Sequence, residues 1–274
     1  MTNKPVLIAV APNGARRTRR DHPALPLAPD EIAADALACA EAGASLLHLH
    51  VRDEAGGHSL APDRYRRAID AVRARCGERL LIQITTEACG LFPLEAQIAA
   101  VRGTRPEAAS FALREFLPER GDESRAADFF AWVKDAGIIP QFILYAPGEA
   151  DRLKALIARG IVPFAAPHVL FVLGRHAGGP PSDPWALPDF ATRWSGPWSV
   201  CAFGPVEIRV AAAALALGGH VRIGFENNLQ APDGAPLRSN AEQVARVAAL
   251  AALLGRERMT AAAARALGAG TDNG

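Results

Sequence analysis

No two cysteines in this sequence are close neighbours. Cys39, Cys76, Cys89 and Cys201 are scattered with no C-x-x-C pair, so neither a disulfide framework nor a cysteine metal site is expected. The same scatter fits a reducing cytoplasm. There is no apolar run long enough to cross a bilayer. The opening Met1-Thr2-Asn3-Lys4-Pro5 leads straight into a short apolar stretch, so no secretory signal peptide is expected. An excess of charge of one sign is also missing. The formal net charge is +1, which argues against nucleic acid or an acidic membrane surface as the main partner. No low-complexity segment, linker or second domain is evident. The expectation is a soluble, intracellular globular protein.

What is present is a repeated alternation. The chain has 274 residues, half of them hydrophobic, which suits one large α/β barrel. Apolar runs over 6–11, 45–51, 80–85, 108–113, 139–145, 169–173, 199–203 and 221–225 read as parallel strands covered on both faces. Stretches of helical period lie near 29–42, 61–75, 93–102, 123–136, 148–159, 187–194, 205–217 and 239–255. Pro29-Asp30-Glu31 places a proline and acids in a first turn, and Ser239-Asn240-Ala241-Glu242 resembles a capping box. Gly43, Gly77, Gly103, Gly137, Gly160 and Gly255 stand where helices need a left-handed last residue. Strict βα alternation allows a closed barrel or an open doubly wound sheet, and eight units favour the (β/α)8 TIM barrel. The expectation is a single domain over 1–274, with 256–274 as a C-terminal helical extension that frays at its end.

The most informative stretch is Ser45-Leu46-Leu47-His48-Leu49-His50-Val51-Arg52-Asp53. Residues two apart on a strand share a face, so His48 and His50 project together near the C-terminal end of the second strand. Barrels of this kind keep their active sites at that end. A catalytic zinc takes three protein ligands and keeps one position open, and Glu226, ending the eighth strand beside the first, supplies the third. The bare H-x-H spacing also fits two core histidines, although neighbouring buried imidazoles are costly to satisfy. His168 and His220 fall at strand beginnings and read as structural. His22, His58 and His176 lie in loops on the site face and read as solvated.

The sequence resembles the β-keto acid cleavage enzymes over nearly its whole length, from Val6 to about Gly255. The resemblance is carried by Asn13-Gly14-Ala15, Leu25-Pro26, Asp30-Glu31-Ile32-Ala33 and Glu41-Ala42-Gly43-Ala44. It continues through His48-Leu49-His50-Val51-Arg52-Asp53, Leu81-Ile82-Gln83-Ile84-Thr85-Thr86 and Phe171-Val172-Leu173-Gly174 with Gly178-Gly179. It closes on Gly218-Gly219-His220-Val221-Arg222-Ile223-Gly224-Phe225-Glu226-Asn227-Asn228. The resemblance implies a zinc-dependent reaction between a β-keto acid and acetyl-CoA, giving acetoacetate and a new acyl-CoA. It also implies metal binding by His48, His50 and Glu226, and a homotetramer. Arg222, in phase with Glu226, is the expected source of positive charge for developing alkoxide. Thr85 matches a family hydroxyl that contacts substrate, and Asn13 stands in a matching site loop. Gly174 opens a Gly-rich loop that lets backbone approach a ligand, or is part of an ordinary surface loop.

Several positions depart from the family. The aspartate that usually follows the strand-8 glutamate and acts with the arginine in deprotonation is Asn227 here, and an amide takes no proton at neutral pH. Glu115 is the first substitute to examine and Glu87 the second; either also reads as a loop acid in a surface salt bridge. Two glutamates of the family's lysine-fermentation member on strand 5 are Gln141 and Ile143. A further glutamate after strand 1, facing that substrate's amino group, is Arg16. An arginine there suits an anionic substrate end. Arg17, Arg19 and Arg20 suit the phosphates of CoA or simply form a solvated basic loop. Pro205 replaces a commonly basic residue. Two other readings stand beside the first: a zinc hydrolase or aldolase not using CoA, and a metal-binding barrel that has lost its base.

Overall fold

Each apolar run becomes a strand because both of its faces are covered, one by helices and one by the barrel interior. The computed structural model describes residues 4–118, 121–175 and 181–269. The strands are β1 (Ile8–Val10), β2 (Leu46–Leu49), β3 (Leu81–Ile84), β4 (Ala108–Ala112), β5 (Ile139–Leu144), β6 (His168–Leu173), β7 (Trp198–Ala202) and β8 (His220–Ile223). They form one closed parallel barrel, with β1 pairing to β2 at Ala9↔Leu46 and to β8 at Ile8↔Val221. The (β/α)8 expectation is therefore met.

Outward side chains such as Leu47, Leu49, Ile82, Ile84, Phe111 and Phe142 build the main core against the surrounding helices. The helix signals act as read. Glu31 accepts the Ala28 N–H at 3.0 Å, and Ser239 accepts the Glu242 N–H at 3.1 Å. Five of the six glycines take positive φ, but the third helix runs through Gly103 to Thr104, and Arg105 adopts the left-handed conformation with φ 49°. The helix expected near 187–194 is only Leu187–Ala191, after a 3-10 turn at Pro184–Ala186.

Inside the barrel the layers differ by height. Leu7, Ala9, Leu46, Leu81 and Ala108 form an apolar floor, closed from below by Met259, Ala264 and Leu267. Ala264 and Leu267 lie on the final helix, Ala261–Ala269, which packs against β3 and β5. Higher up, Ala112, Ile143, Leu170, Val172 and Cys201 make an apolar wall on β4 to β7. The opposite wall, on β2, β3 and β8, carries the buried polar groups His48, Gln83 and Arg222.

Strand β2 ends two residues earlier than its apolar pattern suggests. His50 lies just past Leu49, and Val51–Arg52 pairs instead with His58–Ser59 in a small antiparallel hairpin. Arg52 is buried there and donates to the carbonyls of Gly14 (2.7 Å) and Arg17 (2.9 Å), tying down the loop after β1. No helix among the described residues is long and apolar enough to cross a membrane.

Candidate active site

The period-two placement of His48 and His50 does bring both rings to the barrel interior. Their Nε2 atoms are 3.2 Å apart. Glu226, on the turn just beyond β8, places Oε2 3.3 Å from His50 Nε2 and 3.8 Å from His48 Nε2. A tetrahedral zinc with bonds of about 2.0–2.1 Å separates its ligand atoms by about 3.3 Å. The donor triangle has nearly that size. All three residues are buried, and Glu226 Oε2 has no hydrogen-bond partner although it is shielded from water. An orphaned buried carboxylate oxygen facing two imidazole nitrogens fits a metal cation.

The surroundings set the protonation. His48 Nδ1 lies 2.8 Å from Gln83 Oε1, so Nδ1 carries the proton and Nε2 offers its lone pair. Burial, with Arg222 nearby, pushes the His48 imidazolium pKa down to about 3. Glu226 is disfavoured by burial as a charge, but Arg222, His50 and His48 outweigh that and hold it well below the usual carboxylate range. Arg222 donates to Glu226 Oε1 at 2.9 Å and to Cys201 Sγ at 3.4 Å. Burial opposes its charge, yet Cys201 and Glu226 keep it firmly protonated. Gly14 lets Glu226 sit this close to β1: its φ is +60°, and a Cβ there would lie 2.5 Å from Glu226 Cγ.

Above this centre opens a cavity of about 330 Å³. His48, Glu226 and Arg222 form its base, and Thr85, Glu87, Arg16 and Gly174 line it. Ala112, Ile143, Val172 and Phe203 supply the apolar side. Thr85 Oγ1 accepts the Glu87 N–H at 3.0 Å, which leaves the hydroxyl hydrogen to point elsewhere.

The other anticipated residues sit behind this surface. Asn13 is buried and donates to Pro26 O at 2.9 Å. Gln141 lies behind Gln83, whose Nε2 reaches its Oε1 at 3.3 Å. Glu115 accepts the Ala88 N–H at 3.3 Å, under the loop after β3. Asn227 is fully buried, and neither atom of its amide has a hydrogen-bond partner. None of these four lines the cavity.

Two histidines read as solvated are instead buried. His22 contacts Leu237 O at 2.7 Å, and His58 contacts Glu87 O at 2.8 Å. Burial holds the His58 imidazolium pKa down at about 4. His168 and His220, at the opposite end of the barrel, pair with Ser199 Oγ (2.8 Å) and the Leu7 N–H (3.1 Å). His176 and Gly178-Gly179 lie outside the described residues. Of the four arginines after β1, only Arg16 lines the cavity; Arg17 donates to Asn227 O at 3.2 Å and Arg19 pairs with Glu31.

Arg114, Arg175 and Tyr145 also line the cavity and were not anticipated. The Arg114 guanidinium lies over the Tyr145 ring, 3.5 Å from its centre. Tyr145 directly follows the end of β5 and Arg114 lies two residues past the end of β4, positions that point to the catalytic face, and that was the available signal.

A closed barrel that gathers two imidazoles, a carboxylate and an arginine at the C-terminal end of its strands is a barrel enzyme with a candidate metal centre. Among such barrels, this chain belongs to the beta-keto acid cleavage enzyme family, whose model matches residues 5–268. It is accordingly an enzyme of carbon–carbon bond cleavage and acyl transfer. It is 31% identical over 271 residues to the 3-keto-5-aminohexanoate cleavage enzyme of Fusobacterium nucleatum, covering 95% of this chain and 96% of the relative. It is 30% identical over 273 residues to the 3-oxoadipate:acetyl-CoA acetyltransferase of Cupriavidus necator, covering 96% of this chain and 94% of that one. The apo structure of ObcA superposes with a TM-score of 0.69 at 18% identity, over 90% of this chain. This chain spans 65% of that protein's length, and the likeness speaks for the fold.

Proposed function

We propose that this protein is a zinc-dependent enzyme that joins an anionic β-keto acid to acetyl-CoA, giving acetoacetate and a new acyl-CoA. The observation that carries this reading is the buried triangle of His48 Nε2, His50 Nε2 and Glu226 Oε2, whose sides match zinc coordination. When bound, the metal would polarise the β-keto oxygen as a Lewis acid. Arg222 is held charged beside that centre and favours negative charge as it develops on oxygen. The Thr85 hydroxyl orients the substrate, and Gly174 lets backbone approach it. Arg16, Arg114 and Arg175 line the cavity and favour an anionic substrate, which is where the ammonium-facing glutamate of the lysine-fermentation relative has been replaced. Glu115 and Asn13 contribute from behind by fixing loops, Gln141 by supporting Gln83, and Asn227 through its main-chain carbonyl, which accepts from Arg17.

The transferase reading draws on the acetyl-CoA named for the Cupriavidus relative, whose substrate 3-oxoadipate is itself a dianion. A cytoplasmic location fits four free cysteines, and a homotetramer follows the family resemblance. A second reading, an aldolase or hydrolase that uses no CoA, is favoured by Pro205, and Asn227 favours a third, a barrel that binds metal without turnover. The test is metal content together with acetyl-CoA dependence, using 3-oxoadipate as the probe. About one zinc per chain, lost in His48→Ala, and acyl-CoA formed only when acetyl-CoA is present are expected. Keto acid consumed equally without acetyl-CoA would move the assignment to the second reading.

A further inference from the structure

Forming a carbon nucleophile from a β-keto acid requires a group that removes the proton at C2. The residue that follows Glu226 is an amide, Asn227, and it does not line the cavity. Among the described residues, the carboxylates that do line it are Glu226 and Glu87. Glu226 has one oxygen on Arg222 and the other facing the two imidazoles. Glu87 has no such commitment. Its one ion pair among the described residues, to Arg16, is 3.7 Å long, beyond hydrogen-bond reach; the neutral Cys89 thiol hydrogen-bonds to it, and its side chain keeps 26% of its surface open.

The backbone around Glu87 is fixed from every side. Tyr65 OH donates to Thr85 O at 2.9 Å, and Thr86 Oγ1 donates to Ser110 O at 2.7 Å. Glu87 itself gives its N–H to Thr85 Oγ1 and its carbonyl to His58 Nε2. Ala88 N–H is held by Glu115, and the chain then reverses through two residues of positive φ, Cys89 (52°) and Gly90 (73°). A non-glycine residue in that conformation carries a backbone cost that the contacts around the loop have to offset. Burial, with Glu87 beside it, pushes the Cys89 thiol up to about 12, so it stays a neutral neighbour of the carboxylate.

We infer that Glu87 is the catalytic base of the first step, replacing the aspartate that position 227 lacks. The inference rests on the β-keto acid reading above. In the step, the C2–H bond breaks, the proton passes to a Glu87 carboxylate oxygen, and the electron pair spreads over C2, C3 and the keto oxygen. Arg16 stands at the same carboxylate and binds the acidic end of the substrate, presenting C2 to Glu87. Glu115, beneath Ala88, is a positioning residue for this loop.

The test follows exchange of the C2 protons of 3-oxoadipate into deuterium oxide by proton NMR, using zinc-loaded protein without acetyl-CoA. Wild-type protein is expected to exchange them above the spontaneous rate. Glu87→Gln is expected to lower that enzymatic rate by about 10²–10⁴-fold, and Glu87→Asp to restore part of it. Zinc content and the calorimetric Kd for 3-oxoadipate are expected to stay near the wild-type values in both variants. Exchange kept in Glu87→Gln overturns the assignment, and the more so if Glu115→Gln abolishes it. Wild-type protein that binds zinc and 3-oxoadipate but exchanges no C2 proton overturns the β-keto acid reading along with it.

Discussion

His48 Nδ1 and Gln83 Oε1 are 2.8 Å apart, on adjacent strands β2 and β3, and the contact is buried. A carbonyl oxygen accepts only, so it fixes the proton on Nδ1 and presents the Nε2 lone pair to the candidate metal position. Gln141 supports Gln83 from behind. Outer partners of this kind are worth about 10–100-fold in metal affinity. Gln83→Leu is therefore expected to weaken zinc binding by about that factor in a chelator competition, with the fold retained by circular dichroism. Affinity equal to wild type would remove Gln83 from the metal centre.

Gly14 and Gly56 separate crowding from backbone strain. Both have positive φ, but a Cβ at Gly14 meets Glu226 Cγ, whereas one at Gly56 meets nothing within 4 Å. Gly56→Ala is expected to cost about 1–2 kcal/mol in denaturant unfolding and to leave zinc affinity alone. Gly14→Ala should cost more and also lower zinc affinity, because the displaced group is a proposed metal ligand. Equal zinc affinity in the two variants would contradict this.

Arg16 should discriminate between keto acids by charge. Its loss removes one charge-assisted contact, worth about tenfold in affinity. Arg16→Ala is expected to raise the Kd of 3-oxoadipate by about that factor and to change the Kd of uncharged-tail 3-oxohexanoate little. A uniform change for both ligands would mean that Arg16 does not read the distal carboxylate.

Glu207 gives the protein a pH-dependent stability with a definite sign. Burial raises its carboxyl from the ordinary 4.5 to about 8, against hydrogen bonds from Asn228 and the Gly224 N–H. A folded-state value above the unfolded one means the neutral acid is favoured in the fold. Its contribution is fully present below the unfolded value and is lost as pH rises through the folded one. Between about pH 5 and pH 9 the wild type should therefore lose more thermal stability than Glu207→Gln. Parallel melting-temperature profiles would show that Glu207 is ionised throughout.

The barrel was legible because its strands are covered on both faces, which turns each into an unbroken apolar run. The two histidines were legible because a strand repeats every two residues. The hairpin of Val51–Arg52 with His58–Ser59 was not, since two-residue strands around Gly56-Gly57 carry no period. The burial of His22 and His58 depends on carbonyls at Leu237 and Glu87, far away in sequence. Glu115 stood ahead of Glu87 among the loop acids after strands, and the folded loop reverses that order. What separates them is the reversal at Cys89-Gly90 and the grip of Glu115 on Ala88, and both are set by the folded loop. Arg114 and Tyr145 follow neighbouring strands, so their stacking depended on barrel register.

The apolar floor beneath the site, stoppered by Ala264 and Leu267, leaves the described barrel open at one end only. A pocket with a single doorway imposes a queue on its visitors. On the function proposed above, the small acid resting against His48, Glu226 and Arg222 would enter ahead of a bulky thioester, which would then block the way out. Two-substrate turnover in such a vessel would then follow a compulsory order, first in and last out, and an inhibitor seated at the doorway would trap the acid below it.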